Sequence, residues 1–167
     1  MVAMRAIIYA SVFISLLMLY LPLAIALRDP NAVSLGVFRY AAFILYIAGA
    51  AIGLWCVVGF IRYGRGTPAP FDPPRKLVVR GLYRWVRNPM YVGGFLFTLG
   101  HVVWFGSIRV AAYLACMSVA AIMFVVLYEE PVLKQMFGEE YERYRRNVPR
   151  WIPRWSRSER RSGNGAA

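Results

Sequence analysis

Arg87-Asn88-Pro89-Met90-Tyr91 joins the most basic loop of the chain to a membrane-length apolar segment. Asn is a good N-cap and Pro suits the first helical position, so Asn88-Pro89 predicts a helix start. Such a start presents unpaired backbone N–H groups and partial positive charge, and Arg80, Arg84 and Arg87 lie just upstream. An anion is the natural occupant of that point.

Upstream, residues 62–87 form a polar stretch punctuated by Gly64, Gly66, Pro68, Pro70, Pro73 and Pro74. It carries Arg62, Arg65, Arg75, Lys76, Arg80, Arg84 and Arg87 against the single acid Asp72, which predicts a cytoplasmic position. Before it, residues 35–61 predict a span, with Arg39 near enough to one end to reach the interface. Gly49 and Gly53 in that span are spaced for close packing on a neighbouring helix. Residues 4–27 carry only Arg5 and predict a first span; Ala24-Ile25-Ala26 resembles a signal-peptidase site, but the apolar run is longer than a usual signal core, which favours a retained helix.

Downstream, residues 90–107 are short for a span and hold His101, about 15 Å along a helix from Tyr91. An intramembrane imidazole fits either a functional role or an interhelical hydrogen bond. Gly106-Ser107-Ile108-Arg109 predicts a tight external turn, and residues 110–128 a fourth span ending in Glu129-Glu130-Pro131. Two carboxylates at a helix C-terminus oppose the macrodipole, which favours a functional reading; a new helix started by Pro131 would make them ordinary N-terminal acids. Val132, Leu133, Met136, Phe137, Tyr141 and Tyr144 then share one helical face, predicting an amphipathic helix on the membrane surface. Trp151 and Trp155 with nearby arginines read as interfacial anchors, and residues 156–167 as a flexible tail.

The expected fold is therefore all-α: one integral membrane helical bundle over residues 1–155, with about four transmembrane helices and a C-terminal amphipathic interfacial helix. Of 167 residues, 59% are hydrophobic and 17% charged, more apolar than an average soluble domain. Twenty Lys+Arg against eight Asp+Glu give +12. Their placement beside apolar segments points to a bilayer with anionic headgroups rather than to nucleic acid, for which no motif is present. An even span count returns the chain to the cytoplasm, so both ends of the sequence are expected there. The excess of Arg over Lys is that of a GC-rich bacterial source, hence an inner membrane. Cys56 and Cys116 lie in apolar segments without metal or disulfide spacing and read as small core residues.

The stretches Arg80–Tyr91 and Glu129-Glu130 fall at the cytoplasmic ends of two helices joined by a tight turn, so they are expected to meet. Together they offer anion donors, a carboxylate pair and the aromatic faces of Tyr83, Trp85, Tyr91 and Tyr128. A zwitterionic or cationic ligand with a carboxylate suits that set. Phosphate-loop, zinc-protease and serine-hydrolase motifs are absent from the sequence.

Residues 81–93 (Gly-Leu-Tyr-Arg-Trp-Val-Arg-Asn-Pro-Met-Tyr-Val-Gly), Glu129-Glu130, Phe137-Gly138-Glu139-Glu140-Tyr141-Glu142-Arg143-Tyr144 and Val148-Pro149-Arg150-Trp151-Ile152-Pro153 resemble, in order and spacing, the signature of the isoprenylcysteine carboxyl methyltransferase and phospholipid N-methyltransferase superfamily. The resemblance covers residues 62–155. It implies an integral membrane methyltransferase that uses S-adenosylmethionine near the cytoplasmic surface, with a lipophilic acceptor (an isoprenylcysteine-type carboxylate or a phospholipid amine) entering from the bilayer. It further implies catalytic roles for Arg87, Glu129 and Glu130, and cofactor contacts for Tyr83, Arg84, Asn88, Pro89, Tyr91, Gly93 and Gly94, with no metal. Asn88 stands where the family more often has His, and Leu82 where it often has Pro. Asn cannot titrate near neutral pH, so an acid–base role at that position is not expected here. An NADPH-dependent membrane reductase related to sterol reductases and a non-enzymatic lipid- or partner-binding protein are the competing readings. Oligomeric state and the atom methylated are not specified by the sequence.

Overall fold

The computed structural model describes residues 15–59, Arg62 and residues 77–153. The beginning of the first apolar run, most of the basic loop and the tail beyond Pro153 fall outside these residues. Every regular element among those described is helical. A π-helical turn, Leu16–Tyr20, leads into α1 (Leu21–Leu27); a 3-10 turn, Gly36–Tyr40, leads into α2 (Ala41–Gly59). After the short 3-10 turn Gly81–Arg84 come α3 (Pro89–Phe105), α4 (Ile108–Phe124), a second π-helical turn (Val125–Glu129) and α5 (Glu130–Asn147).

Gly36–Gly59 and Ile108–Asn147 are long and apolar enough to cross a membrane, whereas Leu16–Leu27 and Pro89–Phe105 are shorter. The 17 residues of α3 rise about 26 Å, a little under the roughly 30 Å of a bilayer core. Ile44, Ile47, Leu54, Trp55, Val119, Met123 and Leu127 are exposed. Helices apolar on their outer as well as their inner faces are suited to a lipid surround rather than to water.

Close approach of α2 and α3 rests on glycine. A Cβ on Gly49 would lie 2.6 Å from the Gly93 carbonyl oxygen and 2.7 Å from Phe97 N, so neither helix tolerates a side chain there. The expected partner in that stripe, Gly53, faces open space instead. His101 is buried on α3, its Nδ1 3.3 Å from the Phe97 carbonyl and its ring enclosed by Tyr46, Phe97 and Phe105. That surrounding accounts for it by packing and an intrahelical bond. Cys56 is buried as expected, but Cys116 is exposed on the apolar outer face of α4.

The chain does not stop at Glu129-Glu130-Pro131. Pro131 has no N–H and its ring would clash with the carbonyl four residues back, Leu127. The helix avoids that clash by widening: Glu130 N donates to Val125 O, five residues back, and the turn becomes π-helical. The same spacing recurs at Pro22, where Leu21 N donates to Leu16 O just before the ring. In place of a separate surface helix, α5 therefore continues α4 directly and changes direction at Gly138, whose φ of 51° and ψ of −124° break the helix locally. A positive φ favours glycine.

The end of the bundle away from the cluster described below is clasped by Asp29. Ser107 caps α4 by accepting from Val110 N and donates its hydroxyl to Asp29 Oδ2. Asn31 N donates to Asp29 Oδ1, and Arg109 Nε sits 3.4 Å from the same oxygen. The Ser107 hydroxyl, foremost, holds the Asp29 carboxyl below its ordinary range. A carboxyl depressed in the folded state stabilises fully above its unfolded pKa of about 4 and loses that contribution as pH falls through the folded value. Asp29→Asn is expected to abolish this acid-side loss, seen as a flatter dependence of thermal unfolding on pH below about 4 than the parent shows.

Candidate active site

Pro89 occupies the first turn of α3 and Asn88 the N-cap position, as the sequence predicts. The Asn88 side chain nevertheless makes no capping bond. It is buried, and its Nδ2 donates to the Arg150 carbonyl at 3.4 Å; the backbone N of Asn88 donates to the same oxygen at 3.2 Å. An irregular strap, residues 149–151, takes the place of a capping partner: Arg87 N donates to Pro149 O at 2.8 Å beside it.

The widened turn at the end of α4 sets the opposite wall. Consecutive side chains on an α-helix diverge by about 100°, and a π turn reduces that step. Glu129 and Glu130 can therefore both face inward, the first half-buried and the second buried. Glu129 Oε2 accepts from the Tyr91 hydroxyl at 3.0 Å. Its other oxygen has no hydrogen-bond partner among the described residues.

Glu130 is the hub of the polar cluster. Arg87 Nη1 lies 3.0 Å from its Oε1, each side chain only 9% exposed. Arg150 forks onto both oxygens, Nε to Oε1 at 2.7 Å and Nη2 to Oε2 at 2.9 Å. That carboxylate holds the Arg150 guanidinium in its charged form, raising its already high pKa. Two parallel charge-assisted bonds fix orientation as well as distance. Arg87 Nη1 also donates to the Tyr141 hydroxyl at 3.2 Å, while Arg87 Nε is buried without an acceptor among the described residues.

Below the hub, Tyr141, Tyr144 and Val148 form a small core with Leu77, Leu133 and Phe137. The Tyr144 hydroxyl donates to the Tyr83 carbonyl at 2.8 Å. The apolar face expected for α5 is thus spent on this contact, although Met136 remains exposed. Trp151 on the strap stands edge-on to Tyr91 at 6.1 Å and packs on Phe95.

The structure accordingly brings Arg87, Asn88, Tyr91, Glu129 and Glu130 into one cluster, with Tyr83 tied to it through Tyr144. Arg84 is exposed, and no hydrogen bond or ion pair among the described residues joins it to that cluster. Gly93 faces Gly49 and Ile52 of α2, and Gly94 faces the Met18 sulfur, so both serve helix packing. Arg150, Tyr141 and Trp151 join the site although the sequence, which places them in the family-like motifs and on a surface segment, assigns them no site role. The available signal was Arg150 itself, an arginine between two prolines, Pro149 and Pro153, in a chain with few acids to pair with.

A carboxylate with an open oxygen, the neighbouring Arg87 guanidinium and two aromatic faces together suit a zwitterion carrying an aromatic ring. Comparison with known proteins gives this chemistry a context. Methanethiol S-methyltransferase of Crocosphaera subtropica is 42% identical over 82 residues, 48% of this chain and 30% of that protein. Protein-S-isoprenylcysteine O-methyltransferase of Schizosaccharomyces pombe is 35% identical over 77 residues, 46% of this chain and 33% of that protein. Methanethiol S-methyltransferase 1 of Bradyrhizobium diazoefficiens is 31% identical over 141 residues, 78% of this chain but 45% of that protein. The chain thus spans less than half the length of these curated relatives. The sequence model for phospholipid methyltransferase matches residues 37–140, which take in Arg87, Asn88, Tyr91, Glu129 and Glu130 and stop short of the Arg150 strap. Most of the bundle and both walls of the cluster lie within that match, and the chain belongs to the phospholipid methyltransferase family.

Proposed function

We propose that this chain transfers a methyl group from S-adenosylmethionine to a lipophilic acceptor at the cytoplasmic face of a bacterial inner membrane. Four spans carry it in this reading, with both ends of the sequence on the cytoplasmic side. The observation that supports it most directly is the meeting of Glu129 and Glu130 with the Arg87–Tyr91 helix start. The names of the relatives favour methyl transfer over the reductase alternative.

The residues present fit the cofactor. Glu129, through its open oxygen, would hold the amino group, Arg87 the carboxylate, and Tyr91 with Trp151 would flank the adenine. When bound, S-adenosylmethionine supplies an activated methyl on a sulfonium, transferred by in-line displacement. Positive charge leaves the donor in that step, so a carboxylate touching the sulfur would favour the ground state over the transition state. Glu129 and Glu130 therefore act away from the sulfur, by holding and orienting. Placement of donor and acceptor supplies about 7 to 11 kcal/mol of the barrier reduction. Glu130, saturated by two guanidinium groups, is a positioning residue; Glu129 is the group free to bind or to take a proton. A carboxylate or thiolate acceptor needs no base, whereas an ammonium does.

The purified chain should bind S-adenosylmethionine and not NADPH, and should move labelled methyl into a membrane lipid extract. NADPH binding without S-adenosylmethionine binding would overturn the reading. Identification of the labelled species names the acceptor and the atom methylated.

A further inference from the structure

A second polar feature lies behind the hub. A cleft of about 320 Å³ opens between Arg87, the last turn of α5 and residues 148–150. Arg87, Arg145, Arg146 and Arg150 line it, and no carboxylate residue does. Glu130 holds Arg87 and Arg150, and Glu142 holds Arg145 at 3.0 Å. Four guanidinium groups against these two carboxylates leave two positive charges in excess. The carbonyl end of α5 opposes an anion with about half a charge, less than that excess. Moreover, the Tyr144 carbonyl there is already taken by Val148 N at 3.0 Å.

The buried Arg87 Nε, on a side chain 9% exposed, has no hydrogen-bond acceptor among the described residues. A buried N–H is rarely left so, and its owner lines this cleft. Arg146 makes no ion pair among the described residues. Guanidinium forks match the oxygens of a phosphate. The lining contains no aromatic ring to take a nucleoside base. Next to the strap, Ile152 is 78% exposed, and Trp85 is exposed at the same end of the bundle. Apolar side chains of this kind enter a bilayer while arginines beside them stay at the depth of the lipid phosphates.

We propose that this cleft binds the phosphodiester of an anionic membrane lipid. The shared chemistry is a singly charged phosphate diester, and the lipid rather than a soluble ester presents it. The cleft shares Arg87 with the methyl-transfer site, but the assignment does not require that reading, because the lipid need carry no group that can be methylated.

Phosphatidylglycerol, which has no amine, is the probe, and glycerophosphoglycerol is its soluble counterpart. Native mass spectrometry of the full chain released from nanodiscs should show retained phosphatidylglycerol. The Arg145→Gln/Arg146→Gln variant should retain it about tenfold less tightly, the loss of one charge-assisted contact. Arg143→Gln, which removes one charge on the same helix outside the cleft, as Arg146→Gln alone removes one inside it, should change retention little. If the double variant proves unstable in thermal unfolding, Arg146→Gln alone should still weaken retention. Equal weakening by Arg143→Gln would reduce the effect to surface charge and overturn the site. Displacement of the lipid by S-adenosylmethionine would assign the cleft to the cofactor instead. Binding of glycerophosphoglycerol as tight as that of the lipid would overturn the lipid as source.

Discussion

Glu130→Gln is expected to slow methyl transfer by about 100-fold, the cost of misplacing reacting groups by roughly 1 Å, and to lower unfolding free energy by about 3 kcal/mol. Both effects have one cause. The Glu130 carboxylate is buried between Arg87 and Arg150, so its neutralisation leaves the Arg87 guanidinium, 9% exposed, without a counter-charge. Breaking a buried pair from one side costs about 3 to 5 kcal/mol; the lower figure applies because the Arg150 side chain is 39% exposed. The same change frees the strap, since Arg150 reaches Glu130 with its side chain and Asn88 with its carbonyl. Denaturant unfolding in micelles and single-turnover transfer measure the two losses. Adding Arg150→Gln should cost less than the sum of the single changes, because the second substitution removes a charge the first had orphaned. Additive losses, with stability untouched by Glu130→Gln, would instead make Glu130 a group that contacts the acceptor directly.

How far the sequence discloses this arrangement depends on the range of each interaction. The N-cap position of Asn88, the Pro89 start and the tight turn at Gly106-Ser107 are set by residues within one helical turn, and local chemistry places them correctly. The Asn88 side chain escapes that logic because its partner, the Arg150 carbonyl, is 62 residues away. Glu129-Glu130 meets the helix start because two helices share a tight turn, and that constraint is topological and visible in the apolar pattern. The continuity of α4 into α5 is not visible in the same way. Pro131 usually argues for a break, and only the π-helical turn before it lets the helix pass. The same spacing recurs at Pro22, so the local signal common to both places is a proline set within an otherwise helix-forming stretch. Gly93 and Gly94 mark the opposite error of emphasis. Glycines next to a polar motif invite a ligand, yet their space is filled by α2 and Met18, a fact that only tertiary packing supplies.

Glu129→Gln tests the other half of the acidic pair, and its outcome separates two kinds of chemistry. Gln keeps the shape and still accepts from Tyr91, so the 3.0 Å bond and the local fold should survive. What it loses is charge at the one carboxylate oxygen of the pair left without a partner among the described residues. If Glu129 holds the cofactor amino group, affinity for S-adenosylmethionine should fall about 10- to 100-fold, the worth of a charge-assisted hydrogen bond. The rate at saturation should then change little, because an interaction equal in ground and transition states acts on binding alone. Tyr91→Phe should weaken binding less, by about two- to tenfold, since it removes a neutral hydrogen bond that only orients the carboxylate. If Glu129 serves instead as base toward an ammonium acceptor, the pattern inverts. Cofactor affinity should stay unchanged, the saturated rate should drop about 10²- to 10⁴-fold, and the acidic limb of the pH–rate profile should vanish. Calorimetry with S-adenosylmethionine and a pH–rate profile for the parent and the variant decide between these. The first result requires an acceptor that arrives without a proton to lose, a carboxylate or a thiolate, and the second an amine.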